Sequence, residues 1–187
     1  MEAVTKRHSV IVAVDWDLSW QEVVARVGSP VLGSELSDVG MLYASTLRGT
    51  RDQPLTIYSF PILQAPPGTQ EVATHRENHL PGKARKRDAC ISNRDALIYA
   101  EGFGDRPAHP RVLFAFSSRY PQLHRVVSGN GWNFPYGLIS LESCMLHGRQ
   151  RICTIDCDIV QEKVRTPKLN FYDASFRSVW YLFEPHE

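Results

Sequence analysis

The sequence predicts an α+β fold: an antiparallel or mixed sheet with a C-terminal β-hairpin region and two or three helices packed on one face. Three observations predict it. Strand-like runs stand at both ends of the chain while the helical patterns cluster early, which is not the regular βαβα alternation of a doubly wound sheet. The last third alternates apolar and polar residues at period two around a turn. The composition, 43% hydrophobic and 22% charged over 187 residues, is that of one globular domain spanning 1–187 with enough chain to bury a core.

In chain order, residues 9–16 (SVIVAVDW) are nearly all apolar and rich in β-branched side chains, predicting a strand buried on both faces. The next segment predicts a helix. Ser19 and Glu22 have capping-box spacing, Trp20, Val23, Val24 and Val27 fall on one side, and Gly28 and Pro30 stop it. A second helix is expected over 35–47, with an apolar stripe of Leu36, Val39, Tyr43 and Leu47 closed by Gly49. Residues 54–63 predict a strand limited by Pro54 and Pro61. A long loop, low in apolar residues and potentially mobile, follows over about 64–88.

Residues 92–100 predict a short helix capped by Ser92 or Asn93, 111–117 (RVLFAFS) a strand, and 121–127 another short helix. Residues 137–146 and 151–160 flank His147–Gln150 as a hairpin. On its second strand Cys153, Ile155, Cys157 and Ile159 share one side, and Thr154, Asp156 and Asp158 the other. Two further strands are expected at 168–173 and 176–183, the last covered on both faces.

With 21 basic and 20 acidic residues the formal net charge is +1, so no global field draws in a polyanion and any electrostatic binding must be local. Four cysteines do not make a disulfide scaffold. Val10–Val14 is shorter than a signal-peptide core, and no stretch reaches the ~20 apolar residues of a membrane span. These features predict an intracellular protein, cytoplasmic or nuclear, with no secretory signal and no transmembrane segment.

The densest charge feature is the run Lys83, Arg85, Lys86 and Arg87 in the long loop. Such a loop can meet nucleic-acid phosphates or an anionic membrane surface, and it also fits a nuclear-import signal. A glycine-framed loop carrying Trp132, Phe134 and Tyr136 offers a second interaction surface. A hairpin turning at Gly148–Arg149 would set Cys144 opposite Cys153, near enough for a soft metal with His147 in reach. Cys157 lies too far along the strand to complete such a site, so buried packing is the expected role of these thiols. No metal and no cofactor is expected. Cys90 stands near Arg87 and Arg94 but lacks a partner base, and GFGDRP at 102–107 lacks the lysine of a phosphate loop.

The segment VIVAVDWDLS, with Asp15 and Asp17 just past a hydrophobic strand, resembles the first motif of haloacid-dehalogenase-type phosphohydrolases. That resemblance implies Asp15 as nucleophile, Asp17 as acid/base, a neighbouring Mg²⁺, and Ser117 in the family's phosphate-binding second motif. Leu18 stands where that family usually has glycine, and no lysine with a following acidic pair completes the pattern. The leading expectation is therefore a non-enzymatic binding or assembly protein that contacts a polyanion or other subunits, self-association included. Its general layout resembles small viral matrix-type or nucleic-acid-associated proteins. The Mg²⁺-dependent phosphohydrolase is the alternative.

Overall fold

The computed structural model describes residues 5–27, 42–60, 63–64, 88–89, 91–120, 135, 137–157, 165–174 and 179–186. Strand β1 (Lys6–Asp15) runs antiparallel to β2 (Thr50–Ser59), in register from Lys6 opposite Ser59 to Asp15 opposite Thr50. A two-residue ladder, β3 (Leu63–Gln64) with β4 (Asp88–Ala89), brings the two ends of the long loop together. The remaining strands are β5 (Asp105–Pro107), β6 (Gly137–Leu146), β7 (Arg149–Cys157), β8 (Arg165–Phe171) and β9 (Val179–Pro185). The main sheet is seven-stranded, in the order β1-β2-β9-β6-β7-β8 with β5 beside β9. Among the described residues only β6 and β9 are parallel, so the sheet is mixed, within the predicted α+β class.

The alternation of β9 sorts the core into two layers. Trp180 and Leu182 join Val12, Val14, Leu55 and Ile57 under helices α1 (Trp20–Ala25) and α3 (Pro110–Arg119). Val179, Tyr181 and Phe183 point the other way, onto Ala96 and Ala100 of α2 (Asn93–Glu101). Among the described residues, α1 and α3 thus share one face and α2 covers the other. The last strand is buried on both faces, as its sequence predicts.

Several elements differ from the sequence reading. Residues 111–117 are helical. Pro110 occupies the first turn, where its fixed φ suits a helix, and the His109 ring accepts the Arg111 amide as an N-cap. A short continuous apolar run fits a buried helix as well as a buried strand, and Val112, Leu113, Phe114 and Phe116 are all enclosed. Strand β1 is an edge strand buried on one side only: Val12 and Val14 are covered while Ile11 is 64% exposed. Strand β2 begins at Thr50 and contains Pro54, tolerated because β9 pairs with β2 only from Thr56 onward. Residue 42 is helical but 44–48 have no regular structure, so the second helix does not reach Leu47. Most of that helix, the one expected at 121–127, and Ile159 and Asp158 lie outside the described residues.

The hairpin turns one residue earlier than expected, which shifts the pairing by two. His147 and Gly148 have φ of 51° and 72°, the left-handed pair of a two-residue I′-type loop, so Leu146 faces Arg149 and Cys144 faces Arg151. A bulge between Ile139 and Ser143 shifts the register again. Cys144 is therefore not opposite Cys153; both thiols are buried and free.

That bulge also shapes the sheet. Strand β6 stays beside β9 only from Gly137 to Ser140, and β5 then takes the vacated side, from Pro107 opposite Phe183 to Asp105 opposite Pro185. The Ser140 hydroxyl donates to the Ala108 carbonyl across the junction. Asp105, 3% exposed, accepts from the Tyr58 hydroxyl at 2.5 Å and from Arg7 at 3.1 Å, which satisfies a buried charge.

Candidate anion-binding cleft

The carboxyl end of β1 is fixed by local hydrogen bonds. Asp15 Oδ1 accepts the Asp17 amide at 3.2 Å, Asp17 Oδ2 accepts the Gly49 amide at 3.1 Å, and the Trp16 amide donates to the Gly49 carbonyl at 3.0 Å. Gly49, at φ 71°, supplies a left-handed turn that a side chain would strain. The capping box predicted at Ser19 and Glu22 then starts α1, and Arg26 ends it.

Between this corner and α3 lies a cleft of about 300 Å³, whose polar lining is Asp15, Arg26, Thr50, Arg111, Ser118 and Arg119. Arg111 is held in place: its Nη1 donates to the Leu18 carbonyl at 2.8 Å and its guanidinium stacks 5.5 Å over the Trp20 ring. Partial burial lowers its pKa; the Asp15 charge opposes this and Arg48 adds to it. Neither Arg26, Arg111 nor Arg119 forms an ion pair with a carboxylate of the described residues. Arg111 is thus a half-buried guanidinium with no ion-paired carboxylate among the described residues, flanked by the exposed Arg26 and Arg119. Its fork geometry matches phosphate oxygens better than an ammonium would.

Behind the cleft, the wedge between β6 and β9 holds a second polar group. Glu184, 7% exposed, accepts the His109 amide at 2.9 Å and meets Arg106 at 3.4 Å. Glu142 is pushed up to about 7, by burial first and by the charge of Glu184 second, with Arg106 opposing. His109 is pushed down to about 4 by burial and then by Arg111, against a smaller contribution from the Tyr43 backbone. The Tyr43 hydroxyl donates to the Glu142 carbonyl at 2.9 Å, and burial raises both that hydroxyl and the Cys153 thiol. Among the described residues no three His, Cys, Asp or Glu side chains are grouped to hold a metal ion.

The residues singled out from sequence are scattered. Asp15 lines the cleft, but Asp17 is committed to Gly49 and Ser117 is buried on α3, inside a helix rather than beyond a strand. Among the described residues strand β1 pairs only with β2, and antiparallel. Lys6 lies at its far end and Lys168 is paired with Asp156. The constellation implied by the phosphohydrolase resemblance, Asp15, Asp17 and Ser117 beside a lysine on parallel strands, is not assembled among the described residues. Lys83, Arg85, Lys86, Arg87, Trp132, Phe134 and Tyr136 lie outside those residues. The β3–β4 base of the basic loop follows the Ser59 end of β2, about 30 Å of strand rise from the cleft at Thr50.

Sequence reasoning missed Arg26, Arg111 and Arg119. The signal was present: Arg111, Ala115, Ser118 and Arg119 recur at i, i+4, i+7 and i+8, one helix face, but this shows only when 111–119 is taken as a helix.

No protein-family model, curated protein or solved structure matches the chain. No helix among the described residues is long and apolar enough to cross a membrane.

Proposed function

We propose that this is a non-enzymatic nucleic-acid-binding protein that seats the phosphate backbone in the arginine cleft. The basic loop with Lys83, Arg85, Lys86 and Arg87 supplies a second contact. One observation carries this reading: three arginines from two helices converge on a single cavity with no carboxylate paired to them among the described residues. Nucleic acid is favoured over an anionic membrane because Arg111 is recessed, and a strand can enter a cleft that a flat headgroup surface only bridges. Binding is favoured over hydrolysis because both aspartates receive backbone amides.

The test is binding of a single-stranded oligonucleotide followed against salt. The wild-type protein should bind with a steep negative dependence on salt. The variant with Arg26, Arg111 and Arg119 all changed to Ala should lose about tenfold or more in affinity. Its salt slope should flatten by roughly 0.7 for each phosphate contact removed. Wild-type affinity and slope in that variant, or retention on anionic vesicles without nucleic-acid binding, would refute the reading.

A further inference from the structure

A cleft built only to hold phosphate would have no use for a carboxylate, yet Asp15 stands among the three arginines. Its charge favours the ionised Arg111 from a distance, but the two form no ion pair. Its role in the fold uses one oxygen only: Oδ1 takes the Asp17 amide, and Oδ2 accepts no hydrogen bond from the described residues. Left so, Asp15 repels the anion that the arginines attract. A ligand carrying a hydroxyl beside its phosphate converts that repulsion into a charge-assisted hydrogen bond. The ribose 2′-hydroxyl, adjacent to the 3′-phosphodiester, is such a donor, and deoxyribose lacks it.

We infer that the cleft selects RNA over DNA, with Arg26, Arg111 and Arg119 holding a phosphodiester and Asp15 Oδ2 accepting the neighbouring 2′-hydroxyl. This rests on the nucleic-acid reading above. The recognised chemistry is a ribose phosphate with a free 2′-hydroxyl, and the strand rather than a free nucleotide is its source. A strand also brings the phosphates that flank the one held in the cleft, which a mononucleotide lacks, and competition by the mononucleotide separates the two.

The experiment is fluorescence anisotropy on the full chain with a labelled oligouridylate, its 2′-deoxy counterpart and its 2′-O-methyl counterpart. The wild-type protein should prefer the ribo-strand over both others by about tenfold, the scale of one charge-assisted hydrogen bond. Asp15→Asn is the informative variant. Its amide oxygen can still accept the Asp17 amide and preserve the corner, while its NH₂ replaces the free acceptor. The preference should shrink to within about twofold, chiefly because the deoxy strand binds more tightly once the repulsion is gone. Salt-sensitive binding with no ribo-preference, or a preference that survives in Asp15→Asn, overturns the inference and leaves the nucleic-acid reading standing. No binding to any strand overturns both. Competition by uridine 3′-monophosphate at concentrations near the strand's own Kd would overturn the assignment to a strand.

Discussion

Arg111 and Glu184 lie on either side of His109, the residue that begins α3, and the two regions they belong to handle charge in opposite ways. In the cleft, Arg111 is recessed between the exposed Arg26 and Arg119, and none of the three is paired with a described carboxylate. In the wedge the charges are enclosed and answered: Glu184 holds the His109 amide and Arg106, and Glu142 is disposed to keep its proton. The arginines cost the fold little where they stand, because each retains access to water. The carboxylates cannot be left unpartnered where they stand, because burial penalises an unsatisfied charge. The contrast separates guanidiniums left without an ion-pair partner among the described residues from carboxylates whose partners are already in the chain.

The largest effect should follow from cutting the wedge. Glu184→Ala removes the acceptor of the buried His109 amide and the counter-charge of Arg106, and should cost about 2–3 kcal/mol in urea unfolding near pH 5.5, where Glu142 is still protonated. The folded fraction should keep its nucleic-acid affinity. Arg26→Ala and Arg119→Ala should do the reverse, weakening binding while leaving the unfolding midpoint unchanged. Equal destabilisation by the arginine and the glutamate variants would break the comparison.

The pH dependence of stability is the next largest effect, and it contains two opposed slopes. Glu142, raised to about 7 from an ordinary 4.5, binds its proton more tightly folded than unfolded, so stability falls as pH rises from about 4.5 to about 7 and then levels. His109, lowered to about 4 from an ordinary 6.5, binds its proton less tightly folded, so stability falls as pH drops from about 6.5 to about 4. Across their shared window the wild-type slopes offset. Unfolding midpoints measured from pH 4 to 8 should therefore be nearly level for the wild type. They should rise with pH in Glu142→Gln and fall with pH in His109→Gln. Parallel profiles for all three proteins would show that neither group titrates as its surroundings demand.

The legibility of the molecule follows the same division. Elements set by local chemistry were readable: the capping box at Ser19, the Ser92 cap, and the shared face of Cys153, Ile155 and Cys157 on β7. Ile152 and Thr154 on the other face of β7 are buried too, so that face is not the outer one expected. The strand-to-helix error at 111–119 came from an apolar run whose burial on several sides erased its period, so tertiary packing and Pro110 decided where pattern did not. The cysteine register failed because one turn sets it: a loop one residue earlier moves Cys144 from Cys153 to Arg151, a step that hydrophobicity does not record. The cleft was illegible because Arg26 and Arg111 meet only through the packing of α1 against α3. The basic loop, by contrast, draws the eye because its charges are consecutive.

The smallest effect concerns Ser117, and it separates the two readings of this end of the sheet. Its hydroxyl is buried on α3 with no hydrogen-bond partner among the described residues, so it carries a desolvation cost without a compensating bond. Ser117→Ala removes that cost, adds helix propensity and leaves a void smaller than a methyl group. The protein should gain about 0.5–1 kcal/mol in stability. Nucleic-acid affinity should not change, because Arg111, Ser118 and Arg119 face the cleft and Ser117 faces the core. A phosphate-binding serine would behave otherwise, since its loss would weaken ligand binding at constant stability. Unfolding midpoint and oligonucleotide affinity, measured on the same Ser117→Ala preparation, decide between a hydroxyl the fold would be better without and one the ligand needs.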